Sequence, residues 1–235
     1  MPAGTLVNTR PSFYRDRFHA AFSTLGWPII DCPVLVPEGT GASLPASTDY
    51  DAIIFTSQVA IAMLSAAEAW SGLTAYAVGA GTAEAARAAG FHHTIQTGND
   101  AEDLARYLEG ETFRRALYPS AEDVAADLSL TDGRIVRTPI YRMTSCSAPP
   151  PELFEVLRGG QPVLAPLFSK RSAEAFAGML GNTQGTARLA VVAISQECLG
   201  DPGPWQRWAV ADKPTLESVV AKTSEMAAAL AREAS

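Results

Sequence analysis

Cysteine and histidine are scarce, with three of each in 235 residues. Cys32, Cys146 and Cys198 lie far apart and are odd in number, so they present neither a disulfide framework nor a metal-ligand spacing. His92 and His93 are adjacent and His19 stands alone, which excludes a histidine-rich metal site. Scattered thiols of this kind fit a reducing compartment. No apolar run approaches the roughly 18 residues that mark a spanning helix. The opening Met-Pro-Ala-Gly lacks the charged start and apolar stretch of a signal peptide. The expectation is a cytoplasmic chain with no membrane contact. No block of Lys and Arg offsets the formal net charge of -7, which argues against a nucleic-acid partner. A Gly-x-Ser-x-Gly nucleophile elbow is absent, as is a phosphate loop ending in Gly-Lys-Ser/Thr.

What is present is a regular alternation of short apolar strands and helical segments. Leu6-Val7-Asn8-Thr9 reads as a strand. Phe13 to Leu25 reads as a helix, stopped by Gly26. Trp27 to Asp31 is again extended and continues past Pro33 into Val34-Leu35-Val36. Asp51-Ala52-Ile53-Ile54-Phe55 has the continuous apolar character of a strand covered on both faces. Thr56-Ser57 opens a helix running to about Ala69, and Thr74 to Val78 is the next strand. Gly79 to Thr82 opens a helix ending at Gly90. His93 to Gln96 suits a short edge strand, and Asp100 suits the cap of a helix over Ala101 to Leu108.

The second half follows the same plan. Arg115 to Tyr118 reads as strand and Ala121 to Leu128 as helix. Arg134 to Arg137 is strand-like, extended through Pro139-Ile140-Tyr141. A short helix covers Glu152 to Leu157. Val163 to Phe168 and Arg188 to Ile194 are strands, each followed by a helix start at Ser169 and Ser195. Trp205 to Val210 closes a sheet, with Trp205 and Trp208 packing it, and Thr215 to Arg232 is an amphipathic helix. Ile53-Ile54-Phe55-Thr56-Ser57 corresponds to Pro166-Leu167-Phe168-Ser169-Lys170, and Ala77-Val78-Gly79 to Ala193-Ile194-Ser195. The spacing from Phe55 to Ala77 is 22 residues and from Phe168 to Ala193 is 25. This internal pseudo-repeat implies two small parallel-sheet α/β halves.

Ligands of such sheets bind outside the carboxyl ends of the strands. Small or hydroxylated residues stand at those junctions: Thr9-Arg10, Thr56-Ser57, Gly79 to Thr82, and Ser195. Each can meet a ligand, and each can equally cap a helix. Gly79-Ala80-Gly81-Thr82 lacks the third glycine of a dinucleotide fingerprint, which leaves a nucleotide-dependent enzyme as a minor reading. Cys198, early in a helix, is either a lowered-pKa thiol or a buried inert one. Tyr141 follows Pro139 on a segment between structural units. Its hydroxyl either exchanges a proton or packs as an aromatic.

Taken in order, several segments resemble uroporphyrinogen-III synthase. They are Leu6 to Pro11, Asp51 to Ser57, Ala75 to Ala83, Pro139-Ile140-Tyr141, Phe168-Ser169, Ala193-Ile194-Ser195 and Trp208 to Ala211. The resemblance implies α/β domains joined by a two-stranded connector. One domain spans 1–33 and 143–235, the other 38–133, and the connector 34–37 and 134–142. It also implies a monomer, a cleft between domains that holds a linear tetrapyrrole, and transient handover from hydroxymethylbilane synthase. The implied reaction closes hydroxymethylbilane to uroporphyrinogen III, losing water and inverting the last ring through a spiro intermediate, without a cofactor or metal. Tyr141 matches the family's suspected acid. The hydroxyls of Ser57 and Thr82 would orient substrate. Arg10, Ser195 and the backbone near Gly79, Ser169 and Lys170 would meet it, with Lys170 and Arg171 added for their charge. Where some members have Gly-x-x-Thr, this chain has Ser195-Gln196-Glu197-Cys198, so no threonine role transfers there. The alternative is a non-catalytic two-lobed protein that binds or senses a small molecule.

Overall fold

A computed structural model describes residues 4–124, 128, 133–181, 188–200 and 205–233. The chain forms two compact α/β units. One comprises Met1–Val36 with Thr144–Ser235, the other Pro37–Met143.

The discontinuous unit holds a five-stranded sheet. Its strands are β1 (Thr5–Asn8), β2 (Ile29–Asp31), β9 (Val163–Leu167), β10 (Leu189–Ala193) and β11 (Arg207–Val210), in the order β11-β10-β9-β1-β2. Every pairing is parallel. Strands β1, β9 and β10 are buried along their whole length, as their apolar runs require when helices cover both faces. On one face Leu6, Leu164, Ala190 and Val192 meet Phe18 and Phe22 of α1 (Arg15–Phe22). Val219, Ala227 and Leu230 of α8 (Leu216–Glu233) complete that cluster. Each large apolar side chain among them contributes roughly 1.5–3 kcal/mol by leaving water. Helix α5 (Pro151–Arg158) buries Leu153 and Leu157, and α6 (Lys170–Leu180) buries Phe176. The short α7 (Gln196–Leu199) follows β10.

The continuous unit carries a six-stranded sheet. It comprises β3 (Leu35–Gly39), β4 (Ala52–Phe55), β5 (Thr74–Ala77), β6 (Thr94–Gln96), β7 (Ala116–Ala121) and β8 (Ile135–Ser145), ordered β3-β8-β7-β4-β5-β6. From β8 through β6 the pairings are parallel. Ile54, Tyr76, Tyr118 and Ile135 pack with Leu104 and Leu108 of α4 (Ala101–Glu109). Phe55 and Phe91, both fully buried, stack edge to face at 5.0 Å. Helices α2 (Gln58–Met63) and α3 (Gly79–Ala88) follow β4 and β5. Strands β3 and β8 are the connector strands that carry the chain between the units.

Several boundaries differ from the sequence reading. The extended stretch expected from Trp27 to Val36 is two strands, since Cys32 to Val34 leave β2 before β3 begins. The helix expected to reach Ala69 ends at Met63, because Leu64 turns to extended backbone with ψ 105, and the left-handed Ala66, φ 53, keeps the helix from resuming at once. Ala121, expected to start a helix, ends β7 instead. The body of that expected helix, 125–127, lies outside the described residues. Trp205 is buried, but Trp208 on edge strand β11 is 51% exposed and packs little. No helix among the described residues is long and apolar enough to cross a membrane.

Candidate functional site

In the continuous unit, the carboxyl ends of β4, β5 and β7 meet β8 around a hollow of about 280 Å³. Thr56 follows β4, Val78 follows β5, Tyr118 and Ala121 come from β7, and Tyr141 from β8. Tyr141 is only 5% exposed. Its backbone carbonyl accepts from Glu122 N–H at 2.8 Å. The register beside it is irregular: Ser120 pairs with Pro139, but Ala121 pairs with Tyr141. Pro139 has no N–H for the ladder, and a bulge at that point sets Tyr141 rather than Ile140 beside the end of β7. Arg137 ties the same corner. Its Nε donates to Ser120 Oγ at 3.1 Å, and Nη2 donates to the carbonyls of Ala121 and Glu122 at 2.9 and 2.6 Å.

The other expected residues of this unit stand at the helix starts after β4 and β5. Ser57 Oγ accepts from Val59 N–H at 3.1 Å, so it caps α2. Gly79 opens α3 with φ 75, a conformation that favours glycine. Its N–H donates to Gly98 O at 2.8 Å, which commits it to the fold. Thr82 is buried in the first turn of α3. Helix α3 has no side-chain cap.

In the discontinuous unit, Arg10, Ser169 and Ser195 follow the adjacent strands β1, β9 and β10. The Arg10 guanidinium lies 4.0 Å from the Tyr14 ring centroid and 4.5 Å from that of Phe168. Burial pulls its pKa down from the usual arginine value, yet a guanidinium in this setting stays a cation. The Arg10 backbone N–H donates to Asn8 Oδ1 at 3.1 Å, which fixes the turn after β1. Ser169 caps α6, accepting from Ser172 N–H at 3.1 Å and donating to Ser172 Oγ at 2.8 Å. Ser195 caps α7 through Cys198 N–H at 3.1 Å. Lys170 and Arg171 are exposed in the first turn of α6. Burial pushes the Cys198 thiol up to about 11 and the Cys32 thiol up to about 12, so the inert reading of Cys198 holds. His92 and His93 are exposed. His19 instead meets Asp31, with Nε2 at 3.1 Å from both carboxylate oxygens. No group of three or more His, Cys, Asp or Glu among the described residues could hold a metal.

The hollow therefore joins one expected site residue, Tyr141, to the junction residue Thr56 and to Tyr118, which the sequence did not single out. Those two hydrogen-bond through their hydroxyls at 3.2 Å. Thr56 is visible in the sequence as a junction residue. Nothing local marks Tyr118, which reads as an ordinary strand aromatic. Chemically the hollow offers neutral hydroxyl donors at the mouth of a parallel sheet, with the exposed carboxylate of Asp123 on its wall.

The family model of uroporphyrinogen-III synthase HemD matches residues 16–221. The chain belongs to that family. Membership supports a general role in tetrapyrrole biosynthesis. No curated protein sequence matches the chain. Among solved structures, it is similar to a mutant uroporphyrinogen III synthase from the extremely thermophilic bacterium Thermus thermophilus. The two are 17% identical over 97% of this chain and 99% of that one, with a TM-score of 0.44. A second Thermus thermophilus uroporphyrinogen III synthase structure is 17% identical over 96% and 99% of the two chains, with a TM-score of 0.37. Membership rests on the family match rather than on these distant likenesses.

Proposed function

We propose that this HemD-family chain catalyses the cyclisation of hydroxymethylbilane to uroporphyrinogen III. Tyr141, seated in the hollow at the strand ends of the continuous unit, is the observation that carries the reading. The substrate brings its own leaving hydroxyl, and its pyrroles supply the electrons. Tyr141 gives its proton to that hydroxyl as the carbon–oxygen bond breaks, water leaves, and an azafulvene-like cation forms. Attack by the already substituted carbon of the last ring forms the spiro intermediate. Its fragmentation and reclosure invert the ring, and the proton lost on rearomatisation restores the tyrosine. Positioning and fixed dipoles supply much of the catalysis, which suits a site built from hydroxyls and helix starts. Arg10, Lys170 and the first turns of α3 and α6 serve the substrate's carboxylates, where cationic side chains and backbone N–H groups favour anions. The protein acts in the cytoplasm as a monomer.

The test is an isomer assay. Hydroxymethylbilane is generated from porphobilinogen by its deaminase, this protein is added, and oxidised products are separated as type I and type III. Type III in proportion to protein supports the reading. Only type I from folded protein overturns it in favour of a non-catalytic two-lobed binder. Tyr141→Phe is expected to lower kcat by at least about 100-fold, in line with the loss of a general acid. An unchanged kcat rejects Tyr141 as the proton donor.

A further inference from the structure

The hydroxyls of Thr56 and Tyr118 are a matched pair with one proton to spare. Two hydroxyls that bond each other use one O–H, and either can be the donor at 3.2 Å. The remaining O–H must point elsewhere. Among the described residues, neither side chain has another hydrogen-bond partner. Tyr118 is 2% exposed and Thr56 is half-buried, so whichever residue carries the spare O–H presents it at the wall of the hollow, where it needs an acceptor. Both residues line the hollow that contains Tyr141, so the acceptor is whatever occupies it.

The framework holds this pair rigidly. Strands β4 and β7 are hydrogen-bonded neighbours, with Ala52 beside Ala116 and Ile53 beside Leu117. That register sets Tyr118, midway along β7, close enough to Thr56, just after β4, for the hydroxyls of residues 62 apart in sequence to meet. The Tyr118 ring is packed in the apolar cluster under α4, which leaves its hydroxyl as the polar tip at the wall of the hollow. A donor fixed in this way needs no reorganisation when charge develops on a nearby oxygen.

We infer that the Thr56–Tyr118 pair donates a hydrogen bond to the departing oxygen of the substrate, beside the proton donor Tyr141. This rests on the synthase reading above. As the carbon–oxygen bond breaks, the oxygen gains negative charge before it is fully protonated. The pair stabilises that charge by hydrogen bonding alone. It transfers no proton, so the leaving water takes its proton from Tyr141. The pair behaves as a unit, since loss of either hydroxyl leaves the other free to turn away.

The experiment is steady-state kinetics of type III formation with Tyr118→Phe, Thr56→Val, Thr56→Ser and the double variant Tyr118→Phe/Thr56→Val. Thermal melts confirm that each is folded. The expected result is a fall in kcat of roughly 10-fold for Tyr118→Phe and for Thr56→Val, with KM within about 2-fold, the signature of a contact made in the transition state. The double variant falls no further than about 2-fold below either single one, and Thr56→Ser stays near the wild-type rate. A merely structural hydrogen bond would lower the melting temperature and leave kcat in place, and that result overturns the inference. Should Tyr118→Phe fail to fold, the Thr56→Val and Thr56→Ser pair decides on the same criterion. Type III at an unchanged rate from folded Tyr118→Phe rejects the inference alone. No type III from the wild-type chain rejects the synthase reading and the inference with it.

Discussion

Asp31 shows how a single residue organises the end of a strand. Its carboxylate accepts from Asn8 Nδ2 and Arg15 Nε, each at 2.8 Å, and meets His19 Nε2 at 3.1 Å. Desolvation opposes the charge, but these hydrogen bonds outweigh it and hold the Asp31 carboxyl below its usual range. A depressed folded pKa means stability that is present above the unfolded value, about 3.9, and lost as pH falls through the folded one. Asp31→Asn is therefore expected to destabilise the protein near neutral pH by about 1 kcal/mol, a small figure because the site is well solvated. The gap between variant and wild type should close below about pH 4. Denaturant melts across that range check it, and a gap that stays constant with pH refutes it. None of this was legible locally. His19 reads as a helix residue and Asp31 as a strand end; the parallel pairing of β1 and β2 sets Asp31 beside Asn8, and only the folded unit brings α1 close enough for His19 to reach it.

Among helices and strands, local chemistry was more informative. Asp100 caps α4 through Asp103 N–H at 2.8 Å, as its place before an amphipathic run suggests. Ser57, Ser169 and Ser195 likewise commit their oxygens to the first turns they precede. Their use as caps is compatible with a ligand contact through the remaining lone pair. Gly79 is different, because its backbone rather than a side chain defines the start of α3. A Cβ there would meet nothing within 4 Å, so any penalty comes from φ 75 alone. Gly79→Ala should cost about 1–2 kcal/mol, and Gly79→Asn less, since asparagine tolerates the left-handed region. Equal melting temperatures for all three proteins would contradict this. The apolar pattern after Thr56 implies too long a helix. Its apolar residues continue past Met63, but the extended Leu64 breaks the backbone, and after the left-handed Ala66 a 3-10 turn over Ala67–Trp70 replaces the final turns.

The molecule as a whole is organised by where the chain enters and leaves its units. Residues 37–143 form one uninterrupted unit with its own sheet and its own apolar cluster. A fragment spanning 34–145, which keeps β3 and β8 whole, is expected to melt cooperatively by circular dichroism. The other unit is left open by that excision, yet Cys146 N–H donates to Val34 O at 3.0 Å, so its cut ends are neighbours. A short Gly-Ser linker in place of 37–143 should let it fold alone. Non-cooperative melting of both pieces would show that the units depend on each other for stability.

The α/β class and the repeated plan are written in the chain itself, because apolar strands, glycine stops and cap residues are local signals. So is the prominence of Tyr141, through the proline that precedes it, and of the small residues at strand ends. The hydrogen bond between Thr56 and Tyr118 is not. It took the folded unit to place both with Tyr141 around one hollow, and to leave Trp208 exposed on an edge. The reason is physical. Periodicity reports which face of an element is buried, but strand order and register determine which distant residues meet, and these follow from packing of the whole unit.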